Sequence, residues 1–103
     1  MPQNDLTYMP SWEMAKLIRE HKLSPTELTT HFAERISTYN HELNAFVTVV
    51  TEMAIEQAEQ AEAALMAGSD VGPLHGIPFG VKDLNPTIGI RTTHGSLMFK
   101  DNI

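Results

Sequence analysis

Two apolar runs bracket one long helical stretch, and this order constrains the chain more than any other feature. Asn44 to Val50 reads NAFVTVV, with Phe46, Val47, Val49 and Val50 almost uninterrupted. Such a run fits a strand buried on both faces. Ile77 to Leu84, IPFGVKDL, reads as a second strand, with Pro78 near its start, where a missing N–H does least harm. Between them, residues 52–67 (EMAIEQAEQAEAALMA) carry Ala54, Ala58, Ala61 and Leu65 on a narrow face, and Gly68 marks a stop. The helix is too short for a coiled coil, and its small side chains suit close packing on a sheet. Strand, helix, strand with so long a crossover predicts a parallel pair of right-handed connection. Two parallel strands alone are marginal. The expected fold class is therefore α/β: N-terminal helices followed by a right-handed βαβ unit, an incomplete piece of a larger mixed α/β domain.

The part before residue 44 reads as helical. Residues 1–9 form a loose lead-in, and Ser11 is placed to cap a helix carrying Met14, Leu17 and Ile18 on one stripe and ending near His21 or Lys22. Ser24-Pro25-Thr26-Glu27 then sets serine at the cap, proline at the first helical position and glutamate at the third. Leu28, Phe32, Ile36 and Tyr39 follow at helical spacing, so a second helix is predicted from Pro25 to about Tyr39. The chain divides into a helical lead-in, 1–43, and a βαβ unit, 44–103. Leu97, Met98 and Phe99 add an apolar group with no obvious partner.

Bulk properties narrow the function classes. Seven basic against thirteen acidic residues give a net charge of −6, so there is no direct nucleic-acid patch and no basic membrane-binding face. No apolar run approaches a membrane span, and MPQNDLTYMPSW has no basic and apolar signal pattern. The chain has no cysteine, which excludes disulfides and thiol catalysis and permits a cytoplasmic location.

The chemistry concentrates in Gly72 to Ser96, GPLHGIPFGVKDLNPTIGIRTTHGS. In open α/β sheets, ligands bind outside the carboxyl ends of strands, where Lys82 is expected. Spacing leaves two readings of it. A lysine taken out of water shifts toward a neutral amine, which is a base or an anion binder. Alternatively it snorkels from a strand end, the commoner case by spacing alone. Asp83 could be a salt-bridge partner, a turn former or a second catalytic group, with turn former the safest. Gly72, Gly76, Gly80, Gly89 and Gly95 match neither phosphate-loop pattern and serve turns or close backbone approach. His21, His31, His41, His75 and His94 show no metal spacing and read as surface or capping residues. His41-Glu42 opens like a zinc-protease motif, but Ala45 stands where histidine is needed. Ser96 lacks the following glycine of a nucleophile elbow.

GPLHGIPFGVKDL followed by GIRTTHGS closely resembles the amidase signature family, which includes bacterial amidases and the A subunit of glutamyl-tRNA(Gln) amidotransferase. LSPTELTTHFAERISTYNHELNAFVTV resembles the helix and strand preceding that segment, so the likeness runs from about Trp12 to Ser96. The resemblance implies carbon–nitrogen amide hydrolysis by a serine–cis-serine–lysine triad without cofactor or metal. Neutral lysine takes a proton through a bridging serine, and a second serine attacks the carbonyl to form an acyl-enzyme. Backbone N–H groups hold the oxyanion. Of these parts only the lysine maps here, onto Lys82; the two serines and the oxyanion hole belong to a glycine/serine-rich segment downstream. The likeness covers roughly the first fifth of a family member, so the 103-residue chain is expected to be inactive alone. The implied substrate is a small-molecule or tRNA-linked amide in the full-length protein. The alternatives are a non-catalytic remnant or an interaction module, in which the helices from Ser11 to Tyr39 bind a partner such as a second copy in a homo-oligomer, and a small independent α+β binding domain.

Overall fold

The computed structural model describes residues 6–103. Helix α1 spans Ser11–Arg19, α2 Pro25–Leu43 and α3 Thr51–Met66, and Leu97–Phe99 adds one 3₁₀ turn. Among the described residues there is no strand; pairing is limited to one antiparallel bridge between Thr87 and Ile90. The predicted βαβ unit is therefore absent, and the regular structure is helical.

The helix signals act as their chemistry dictates. Ser24 Oγ accepts the Glu27 N–H at 2.8 Å, and Pro25 occupies the first turn of α2, where its missing N–H costs nothing. α2 runs past the expected Tyr39 to Leu43, because nothing breaks it before Asn44, which turns left-handed at φ 51°. Arg35 lies over the Tyr39 ring, 5.1 Å from its centroid, just before those added residues. α1 starts differently from expectation: Pro10, not Ser11, is the cap residue, and no side chain caps this end. α3 ends at a Schellman closure, with Gly68 at φ 78° and Ser69 N–H on the Ala64 carbonyl at 3.1 Å.

α1 closes in the same way with a histidine in place of glycine. The His21 N–H reaches the Ile18 carbonyl at 3.0 Å, and the Lys22 N–H reaches the Leu17 carbonyl at 2.8 Å. His21 itself sits at φ 60°, where a Cβ is unfavourable. His21→Gly should therefore stabilise the chain by about 1 kcal/mol, read as a raised midpoint in denaturant unfolding. An unchanged or lowered midpoint contradicts it.

The core lies where α1 and the first half of α2 meet. Leu6, Met14, Ile18, Leu23 and Leu28 are buried together, with Met9, Leu17, Phe32, Leu65 and Ile77 packed around them. Full burial of a leucine or isoleucine contributes about 1.5–3 kcal/mol. The lead-in expected over residues 1–9 falls partly outside the described residues; Leu6 within it is fully buried and helical. α3 packs on α2 rather than on a sheet, and the predicted face is the one used: Ala58 is buried, and Ala54, Ala61 and Leu65 are half-buried.

The two apolar runs lack the neighbours that make strands. A strand needs a second backbone to take up its N–H and C=O groups. In the first run side chains do that work; in the second the Lys82 and Asp83 carbonyls accept backbone N–H groups of Asn85 and His94. The Asn40 amide brackets Phe46, its Oδ1 accepting the Phe46 N–H at 2.8 Å and its Nδ2 donating to the Phe46 carbonyl at 2.9 Å. Arg91 donates to the Val47 carbonyl at 3.2 Å, to Thr48 Oγ1 at 3.1 Å and to the Lys100 carbonyl at 2.9 Å. The two runs meet by packing, not pairing: a Cβ on Gly80 would stand 3.1 Å from the Phe46 ring. Phe79 and Leu97 remain 83% and 87% exposed. The Cα radius of gyration, 15.0 Å, exceeds the roughly 13 Å of a closed domain of about this length.

Candidate functional site

Residues 82–102 form a loop held by its own polar groups. The Lys82 carbonyl accepts the Asn85 N–H at 3.0 Å and closes a turn. One carboxylate oxygen of Asp83 accepts the Thr93 N–H at 2.7 Å, and the other accepts the Thr93 hydroxyl. The His94 N–H donates to the Asp83 carbonyl at 3.0 Å. Further along, the Thr92 N–H donates to the Asn102 carbonyl at 2.8 Å, and Asn102 Nδ2 returns to the Thr92 carbonyl at 3.0 Å. Thr92 and Thr93 are buried although neither lies in a helix or strand. Their burial is tolerable because their polar groups are taken up within the loop.

Lys82 stands at the open edge of this loop. It was expected at the end of a buried strand, and that setting is absent: Lys82 is exposed, in a segment without ladder partners. A hollow of about 420 Å³ lies beside the loop, lined by residues that include Pro86, Thr87, Thr92 and Asn102, and Lys82 is not among them. Among the described residues no serine is hydrogen-bonded to Lys82. Ser96 caps the 3₁₀ turn by accepting the Met98 N–H at 3.2 Å, a structural task.

Asp83 is a turn former, and each of its carboxylate oxygens accepts a hydrogen bond from Thr93. The Thr93 hydroxyl, then the Thr93 N–H, hold its pKa below the ordinary value of 3.8, against the opposing effect of partial burial. The Gly95 N–H and the charge of His94 act in the same direction. A folded-state pKa below the unfolded one contributes stability that is complete above the unfolded value and disappears as pH falls through the folded one. The Asp83 side-chain carboxyl carbon, followed by NMR, should therefore titrate with a midpoint below the ordinary value of 3.8. A midpoint at or above that ordinary value contradicts the assignment.

The histidines divide by setting. His31, expected at the surface, is buried, with its Nε2 and Thr7 Oγ1 sharing a hydrogen bond of 2.9 Å. His75 Nε2 donates to the Ala61 carbonyl at 2.7 Å and ties the segment before Lys82 to α3. No sequence pattern announced either partner. Among the described residues no three histidine, aspartate or glutamate side chains converge as metal ligands. No described helix is long and apolar enough to cross a membrane.

Comparison with known proteins supplies what geometry alone does not. The family model described as Amidase matches residues 27–103. The A subunit of glutamyl-tRNA(Gln) amidotransferase from Dehalococcoides mccartyi is 43% identical over 97 residues, covering 94% of this chain and 20% of that protein. The protein of the same name from Nitrosococcus oceani is 41% identical over 86 residues, covering 84% of this chain and 18% of that protein. An acylamidase of Rhodococcus erythropolis is 34% identical over 103 residues, covering 100% of this chain and 22% of that protein. No solved structure matches the chain. The chain spans about a fifth of the length of the curated relatives it matches. The matched residues include the whole loop from Lys82 to Asn102, and by this match the chain belongs to the amidase family.

Proposed function

We propose that this chain contributes the lysine of an amide hydrolase, and that Lys82 is the base of a serine–cis-serine–lysine triad completed by serines elsewhere in the full-length protein. Family membership, with Lys82 inside the matched residues, carries this reading. In the proposed reaction the Lys82 amine takes a proton from a bridging serine, which takes one from the nucleophilic serine. That serine attacks the amide carbon, and the leaving amine departs with a proton as the acyl-enzyme forms. Water or ammonia then releases the acyl group. The relatives' names span an acylamidase and a component of a tRNA-linked amidotransferase, and both concern the amide bond. Amide hydrolysis in the cytoplasm, on a small or tRNA-linked substrate, is the function proposed.

The 103 residues hold five serines, at positions 11, 24, 37, 69 and 96, none in a glycine/serine-rich run. The 103-residue chain by itself should therefore not turn over amides. The test is the Lys82→Ala variant of the full-length protein assayed on simple amides. Loss of turnover supports the reading, and turnover at the unsubstituted rate sinks it.

A further inference from the structure

The residue after Lys82 is fixed from both its side chain and its main chain. Asp83 gives both carboxylate oxygens to Thr93, and its carbonyl accepts the His94 N–H at 3.0 Å. The Gly95 N–H reaches Thr93 Oγ1 at 3.3 Å, which orients the hydroxyl that Asp83 uses. On the other side, the Lys82 carbonyl holds the Asn85 N–H at 3.0 Å. Thr93 is buried and Asp83 half-buried, so water is kept from the threonine side of this contact. The peptide bond between Lys82 and Asp83 is planar, and their Cα atoms lie about 3.8 Å apart. Fixing Asp83 and the Lys82 carbonyl therefore fixes the origin of the Lys82 side chain, while the side chain itself stays exposed.

We infer that Asp83 and Thr93 form a latch that positions Lys82, with Asp83 a positioning residue and not a second acid or base. This rests on the reading of Lys82 as the triad's base. An aspartate beside a catalytic lysine invites two other roles. An ion pair with Lys82 would leave a carboxylate oxygen turned toward the amine, and a proton-transfer role would leave one open to substrate. Here both oxygens are occupied by one threonine ten residues away. The latch matters because proton transfer needs its partners at hydrogen-bond distance, and a displacement of about 1 Å can cost about 100-fold in rate.

The test uses two variants of the full-length protein that differ by the latch hydroxyl. Thr93→Val keeps the buried volume and the backbone N–H but removes the hydroxyl; Thr93→Ser keeps the hydroxyl. Thr93→Val should lower kcat about 10- to 100-fold with KM nearly unchanged, and Thr93→Ser should restore most of the rate. Amide hydrogen exchange at Asn85 and His94 should accelerate in Thr93→Val alone. If Thr93→Val does not fold, Thr93→Ala, which also lacks the hydroxyl and differs from Thr93→Ser by that group alone, carries the same expectations. Equal loss in the valine and serine variants would make Thr93 a packing residue and overturn the latch. Exchange unchanged in Thr93→Val overturns it as well, and faster exchange with full turnover overturns its positioning role. Full turnover in Lys82→Ala overturns the base assignment instead, and hydrogen exchange reads the latch separately from that result.

Discussion

Replacing Lys82 by alanine in the full-length protein should reduce amide turnover by at least about 100- to 10,000-fold, the range a positioned general base supplies. The loss should fall on kcat and kcat/KM together. As the proposed base, the amine would act on the proton that moves in the transition state and contribute little to holding the ground-state substrate. Members of a triad act as a unit, so adding a substitution of the nucleophilic serine should cost little more than either change alone. Lys82 is exposed and off the helical core, so its removal leaves the packing around Ile18 and Leu28 untouched. A variant that loses turnover while keeping its unfolding midpoint separates chemistry from folding. Lys82→Arg should rescue poorly, because a guanidinium does not give up its proton to become a base.

The second large effect concerns stability. Gly76 holds φ at 82°, and a Cβ there would stand 2.8 Å from Pro25 Cγ and 3.2 Å from Pro25 Cβ. Two costs add in Gly76→Ala. The left-handed backbone disfavours a side chain by about 1–2 kcal/mol. The contact with Pro25 forces a shift of a kind that costs about 1–3 kcal/mol in a packed interior. Pro25 is fully buried and lies in the first turn of α2, so it cannot swing aside as an exposed side chain would. The expected total is about 2–5 kcal/mol, which is a large part of a small domain's stability. Urea unfolding should show a much lower midpoint. Gly72→Ala is the control: its φ is not left-handed and its Cβ would meet nothing within 4 Å, so it should change little.

Gly76 also explains why the segment before Lys82 sits where it does. Its close approach to Pro25 lets Ile77 reach the helical core, and His75 anchors to α3 from the other side. The chain then leaves the core at Gly80, where it passes close to the Phe46 ring. The loop from Lys82 is joined back to the same region by Arg91, which grips the Val47 carbonyl and Thr48.

The helices were legible because their signals are local. Ser24 and Pro25 state a start, Gly68 states an end, and the alanine face of α3 is written at helical spacing. The strands were not, because a strand is a relation between two segments. Asn44 to Val50 has the composition of a buried strand, but among the described residues its backbone meets the Asn40 amide and the Arg91 guanidinium instead. The ligand-binding end of a parallel strand, a geometric reason for singling out Lys82, goes with it; what supports Lys82 now is family membership. The latch from Asp83 to Thr93 was half legible. Turn former was the safest reading of Asp83, but the partner lies ten residues on in a stretch without regular periodicity. The burial of His31 had no sequence signal, since its partner Thr7 belongs to a stretch read as a loose lead-in.

The most direct test of the triad assignment is covalent. A serine-directed fluorophosphonate probe, followed by mass spectrometry, reads whether a nucleophilic serine exists and whether Lys82 activates it. The full-length protein should take up one probe molecule on a serine beyond the five present in residues 1–103, and Lys82→Ala should remove that labelling. Labelling of equal rate and extent in Lys82→Ala would contradict the assignment of Lys82 as the base.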